Sequence, residues 1–142
     1  MMMPSDQPPA RPMVAIVDDE VDITTYLSVA LEDHGYRVVA CNDAEKAVGV
    51  LASSRPDVIL LDLLMPLVTG VSLYGGLAAH PTLRGTPIVI LSGLDVRDEL
   101  PELLREGNGL PPPRAFIDKP VDVEEVLLVL EEVVGRPEEP GP

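Results

Sequence analysis

Apolar residues arrive along this chain in short continuous runs separated by longer amphipathic stretches. Met13–Val17, Arg37–Cys41 and the segments 58–61, 87–91 and 114–117 are brief runs rich in valine, isoleucine and leucine. Runs of that length and composition predict strands buried on both faces of a parallel sheet. Between them the spacing turns helical. Ile23, Tyr26, Leu27, Ala30 and Leu31 recur on one face, with Gly35 positioned to end that helix. Asn42 or Asp43 can cap a second helix running to about Ala52. A third stretch follows Met65, Pro66 and Gly70 and runs to about Ala79, weakened by Gly75 and Gly76. Residues 99–106 predict a short helix stopped at Gly107, and residues 107–113, with three consecutive prolines, an extended loop. Asp122 and Glu125 form an acidic version of a capping box for a last helix, whose Val123, Val126, Leu127, Leu130 and Val134 share a face before Gly135.

Five strands alternating with five helices predict an α/β fold. The expected architecture is a doubly wound five-stranded parallel sheet of order 2-1-3-4-5, flavodoxin-like (βα)5, with right-handed crossovers and helices on both faces. The domain is expected over residues 13–135. Residues 1–12 and 136–142, rich in proline and polar residues, read as a disordered leader and tail, with no output domain after the tail.

Polar residues at the strand ends carry the chemistry. Asp62 is the only ionisable residue in the apolar segment 58–68. A carboxylate there needs cations or hydrogen-bond donors to offset its lost water. The other strands deliver Asp18 and Asp19, Ser92, and Lys119, whereas the second ends without an obvious catalytic partner. Open parallel sheets bind ligands at the carboxyl ends of their strands, near the point where strand order reverses. Three carboxylates and one lysine leave a net charge of about −2, which a hard divalent cation such as Mg²⁺ would offset through oxygen ligands. Asp62 could then attack phosphorus, with Ser92 and Lys119 on the phosphoryl oxygens.

Composition narrows the partners. The 142 residues, 46% hydrophobic, suffice for one core. A formal net charge of −14 disfavours nucleic acid and anionic membrane as direct partners and favours a basic protein surface. The single Cys41 forms no internal disulfide and reads as a packing residue. Neither an export signal nor a spanning apolar run is seen, so a cytoplasmic protein is expected. His34 and His80, near predicted helix ends, read as surface residues.

Asp18-Asp19, Asp62 with Met65-Pro66 and Gly70, Ser92-Gly93, and Lys119-Pro120 preceded by Phe116 resemble the motifs of a response-regulator receiver domain of two-component signalling. The resemblance spans roughly residues 14–134. It implies that Asp62 is the phospho-acceptor and that Asp19, Asp62 and the Leu64 backbone carbonyl bind Mg²⁺ or Mn²⁺ directly, with Asp18 acting through water. It further implies that Ser92 and Phe116 are switch residues and Lys119 the family's catalytic lysine. The partners implied are a histidine kinase or histidine phosphotransfer protein and an unknown downstream protein. The chain would catalyse only its own phosphorylation and dephosphorylation.

Two departures from the family pattern alter the expectations. The segment between Ser92 and Lys119 is longer than usual, which suggests the alternative of a pseudo-receiver that signals by binding without phosphorylation. Leu64 and Leu94, two residues beyond Asp62 and Ser92, cannot orient an attacking water, so a long-lived phosphoryl state is expected. A phosphohydrolase forming an aspartyl phosphate would want a second acid where Leu64 stands. A nucleotide or flavin binder of this topology is disfavoured by the acidic loop after the first strand.

Overall fold

The apolar runs pair as five parallel strands in the computed structural model, which describes residues 11–62, 70–92 and 112–137. In chain order the elements are β1 Met13–Val17, α1 Val21–Asp33, β2 Arg37–Cys41, α2 Ala44–Ser54, β3 Val58–Asp62, α3 Gly70–Ala79, β4 Ile88–Ser92, β5 Ala115–Asp118 and α4 Val123–Val134. The sheet order is β2-β1-β3-β4-β5, as the alternation predicts.

Alternate residues of each strand feed two apolar layers. Ala15, Val17, Ile59, Leu61 and Ile90 pack with Ala47 and Leu51 of α2 and Leu73 and Leu77 of α3. Val14, Ile16, Leu60, Val89 and Leu91 pack on the opposite face with Leu27 and Leu31 of α1 and Val126 and Leu130 of α4. Because both faces are covered, the central strands carry no polar alternation. All five residues of β3 are buried, and each such aliphatic side chain contributes roughly 1.5–3 kcal/mol of burial. That fully buried central strand is what delivers Asp62 to an interior position.

Local signals set the helix ends. Gly35 takes φ +92 after α1, its N–H donates to the Glu32 carbonyl, and the Tyr36 N–H donates to the Leu31 carbonyl, which together close a Schellman turn. Asp43, rather than Asn42, caps α2 by accepting the Glu45 N–H at 2.9 Å. That helix runs to Ser54, past the stop expected near Ala52, because Arg55 closes it in the left-handed region at φ +52. Helix α3 forms despite Gly75 and Gly76, with Leu73, Tyr74 and Leu77 buried along it. Asp122 caps α4 through the Glu124 N–H at 3.0 Å, one residue earlier than the Glu125 pairing anticipated. The helix expected over 99–106, most of the loop over 107–113, and most of the leader and tail lie outside the described residues. No helix among the described residues is long and apolar enough to cross a membrane.

Candidate functional site

The carboxyl ends of β1, β3 and β5 converge on one charged cluster. Asp18 follows β1 directly, is fully buried, and donates its N–H to the Cys41 carbonyl at 3.1 Å. Its Oδ1 accepts the Glu20 N–H at 2.9 Å, turning the chain into α1. Asp62 ends β3 with 2% of its surface exposed. Lys119, just past β5, places Nζ 3.1 Å from both Asp18 Oδ2 and Asp62 Oδ2, with Glu20 Oε1 at 3.8 Å. The Lys119–Pro120 peptide is cis.

Burial pushes the Asp18 carboxyl above the usual carboxylate range, against the pull of the Glu20 N–H, and the neighbouring Asp62 charge raises it further while Lys119 opposes. For Lys119, burial acts to lower the ammonium, but its hydrogen bonds and charge interactions with Asp18 and Asp62 together carry it above its ordinary value. It is held as a cation between two anions.

One ammonium does not balance this cluster. Asp18, Asp19 and Asp62 each offer a carboxylate oxygen, and these atoms lie within 4.8 Å of one another. An all-oxygen set of this charge suits a small hard cation, Mg²⁺ or Mn²⁺, better than a soft one. The two oxygens of Asp18 are engaged by the Glu20 N–H and by Lys119.

The remaining expected residues take different places. Ser92 ends β4 beside Asp118 of β5, one register step beyond Leu91, which pairs with Asp62. Its side chain, and the whole of Leu64, lie outside the described residues. Phe116 pairs in register with Ile90 and is half-buried against the α2 and α3 layer. Cys41 is buried, with Sγ 3.2 Å from the Asp43 carbonyl. His34 caps the end of α1 against the Ala30 carbonyl at 2.8 Å, and the His80 ring accepts the Thr82 N–H, so both serve local turns. A cavity of about 310 Å³ lined by Tyr36, Leu127, Glu131 and Arg136 lies by the amino-terminal edge of the sheet, away from the carboxylates.

One residue of the cluster was not singled out for the site by the sequence. Asn42, considered as a helix cap, instead donates from Nδ2 to the Asp18 carbonyl at 2.8 Å and to Thr24 Oγ1 at 2.9 Å. The available signal was positional: β2 lies beside β1, so the residue after β2 faces the loop after β1.

Residues 14–131 match the response regulator receiver domain family. Among curated proteins, the phosphate regulon transcriptional regulatory protein PhoB of Pseudomonas aeruginosa is 30% identical over 123 residues, which cover 87% of this chain and 52% of PhoB. The chain thus spans about half the length of the curated relatives it matches first. The chemotaxis response regulator CheY4 of Vibrio cholerae superposes with a TM-score of 0.75 at 27% identity, covering 88% of this chain and 100% of CheY4. The receiver domain of the sensor histidine kinase PA1611 from Pseudomonas aeruginosa, solved with a magnesium ion coordinated in its active site cleft, gives a TM-score of 0.74 at 25% identity, covering 89% and 99% of the two chains.

Proposed function

This chain belongs to the response regulator receiver family, and from that premise we propose that Asp62 accepts a phosphoryl group from a phosphohistidine donor in a two-component phosphorelay. The observation that carries the reading is the setting of Asp62: a carboxylate 2% exposed at the end of the central strand, 3.1 Å from Lys119 and within reach of two further acids. A carboxylate oxygen of Asp62 attacks phosphorus in line with the donor imidazole. The P–N bond breaks, the imidazole leaves with the bonding pair and takes a proton, and an acyl phosphate remains on Asp62. Lys119, already at the attacking side chain, accompanies the charge that builds on the transferred oxygens.

Asp19, Asp62 and the Leu64 carbonyl would hold Mg²⁺ or Mn²⁺, with Asp18 reaching it through water. The ion would supply the positive charge that this acidic cluster and an incoming phosphoryl group both lack. The Ser92 hydroxyl then meets the phosphoryl oxygens, and Phe116 repacks as that hydroxyl moves, biasing two states of the domain toward a downstream protein. The chain turns over no separate substrate in this reading. Its donor is a histidine kinase or histidine phosphotransfer protein in the cytoplasm, and the acidic net charge favours contact with protein rather than nucleic acid or membrane.

Transfer from a labelled phosphohistidine protein tests this. Label is expected to pass to the wild-type chain in Mg²⁺, and to be lost with EDTA or with Asp62→Asn. Equal labelling of Asp62→Asn would remove Asp62 from the role, and no labelling by any donor would favour the pseudo-receiver.

A further inference from the structure

Asp18 and Asp19 sit on the loop between β1 and α1, and that loop has an unusual anchor. Glu20, the residue at the helix N-cap position, makes no side-chain cap bond to α1. The start of the helix is tied from outside instead. Asn42 Nδ2 uses one hydrogen on the Asp18 carbonyl at 2.8 Å and the other on Thr24 Oγ1 at 2.9 Å, in the first turns of α1. Thr24 is 3% exposed, and its hydroxyl donates its own hydrogen bond to the Val21 carbonyl at 3.1 Å. Every hydrogen in this chain of bonds has an acceptor, so the amide can donate in only one orientation.

The Asp18 carbonyl belongs to the peptide that joins Asp18 to Asp19. A donor fixed on that oxygen sets the plane of the peptide, and hence the direction in which the Asp19 side chain leaves the backbone. Combined with the Asp18 N–H on the Cys41 carbonyl, it pins the loop to the end of β2 at two successive groups.

We propose that Asn42, with Thr24 as its second acceptor, is a positioning residue that holds the Asp18–Asp19 loop in the geometry needed to bind the divalent cation. The proposal rests on the metal site of the functional reading above. Groups that orient ligands from behind typically change metal affinity by about 10–100-fold when removed. Asn42 is exposed to solvent beside these bonds, so the lower end, about tenfold, is expected.

Calorimetric titration of the full chain with MgCl₂, and separately MnCl₂, tests it beside thermal unfolding in EDTA. Asn42→Ala is expected to weaken cation binding about tenfold. Thr24→Val should act in the same direction, and the double variant should be no worse than Asn42→Ala, because one chain of bonds carries both effects. Val48→Ala, in α2 but away from the loop, serves as a control that lowers stability without altering cation affinity. Unchanged affinity in Asn42→Ala while the wild-type chain binds the cation would overturn the proposal and leave the functional reading intact. A loss of affinity in Val48→Ala matching its loss of stability would overturn it too, by making affinity a reflection of stability alone. Absence of cation binding by the wild-type chain would overturn both readings.

Discussion

Lys119 stands between two buried carboxylates at 3.1 Å from each, so its removal should expose their mutual repulsion. Lys119→Met is expected to cost about 3 kcal/mol in urea denaturation at neutral pH in EDTA, with part of that loss recovered on adding Mg²⁺. A second residue gives a pH signature. Burial pushes the Tyr74 phenol up to about 12 from 10.0. Because the folded value is the higher one, its contribution is full below the unfolded value and is lost as pH rises from about 10 to 12, a change of roughly 2–3 kcal/mol. Tyr74→Phe should flatten that limb of the stability curve, read by denaturant midpoints across the alkaline range. At this scale the site was legible to the extent that chemistry follows from strand ends: Asp18, Asp19, Asp62 and Lys119 were named from sequence and meet in space. Asn42 was not, because its role depends on which strand lies beside β1, and no residue type announces that.

The elements follow from patterns that leave little freedom. The strands match the apolar runs to within a residue, since burial on both faces needs a continuous run and the flanking polar residues end it. Helix ends were less legible: α2 outlasts its expected stop because a left-handed Arg55, rather than a glycine, closes it. Helix α2 also carries an avoidable weakness. Gly49 lies in its interior with open space around the position of an added Cβ. Gly49→Ala is therefore expected to raise stability by about 1 kcal/mol, measured as a shift in urea midpoint at constant slope. At Gly76 of α3 an added Cβ would meet Val48 Cγ2 at 3.4 Å, an ordinary contact, so Gly76→Ala should be tolerated but gain less.

Taken whole, the chain combines an interior that is apolar apart from a few polar residues such as Asp18 and Asp62 with a formal net charge of −14. Self-repulsion of that size predicts a thermal midpoint that rises with NaCl between low and physiological ionic strength, as the Debye length shrinks from about 30 to 8 Å. If the proposed cation site forms where Asp18, Asp19 and Asp62 converge, Mg²⁺ should raise the midpoint further at matched ionic strength, an increment that Asp19→Asn removes. The strand order was legible because parallel runs joined by helices admit few arrangements, and the site because that order brings β1, β3, β4 and β5 together around the reversal. The lifetime expected from Leu64 and Leu94 rests on chemistry alone, and replacing either by glutamine should shorten it several-fold by giving water a hydrogen-bond partner. The central claim, that Asp62 is the acceptor, is tested most directly by intact-mass measurement after incubation with a small-molecule phosphodonor and Mg²⁺. One phosphoryl group gained by the wild-type chain, and none by Asp62→Asn or in EDTA, is the predicted result; a gain retained in Asp62→Asn, or none in the wild-type chain with any donor or cation, would contradict it.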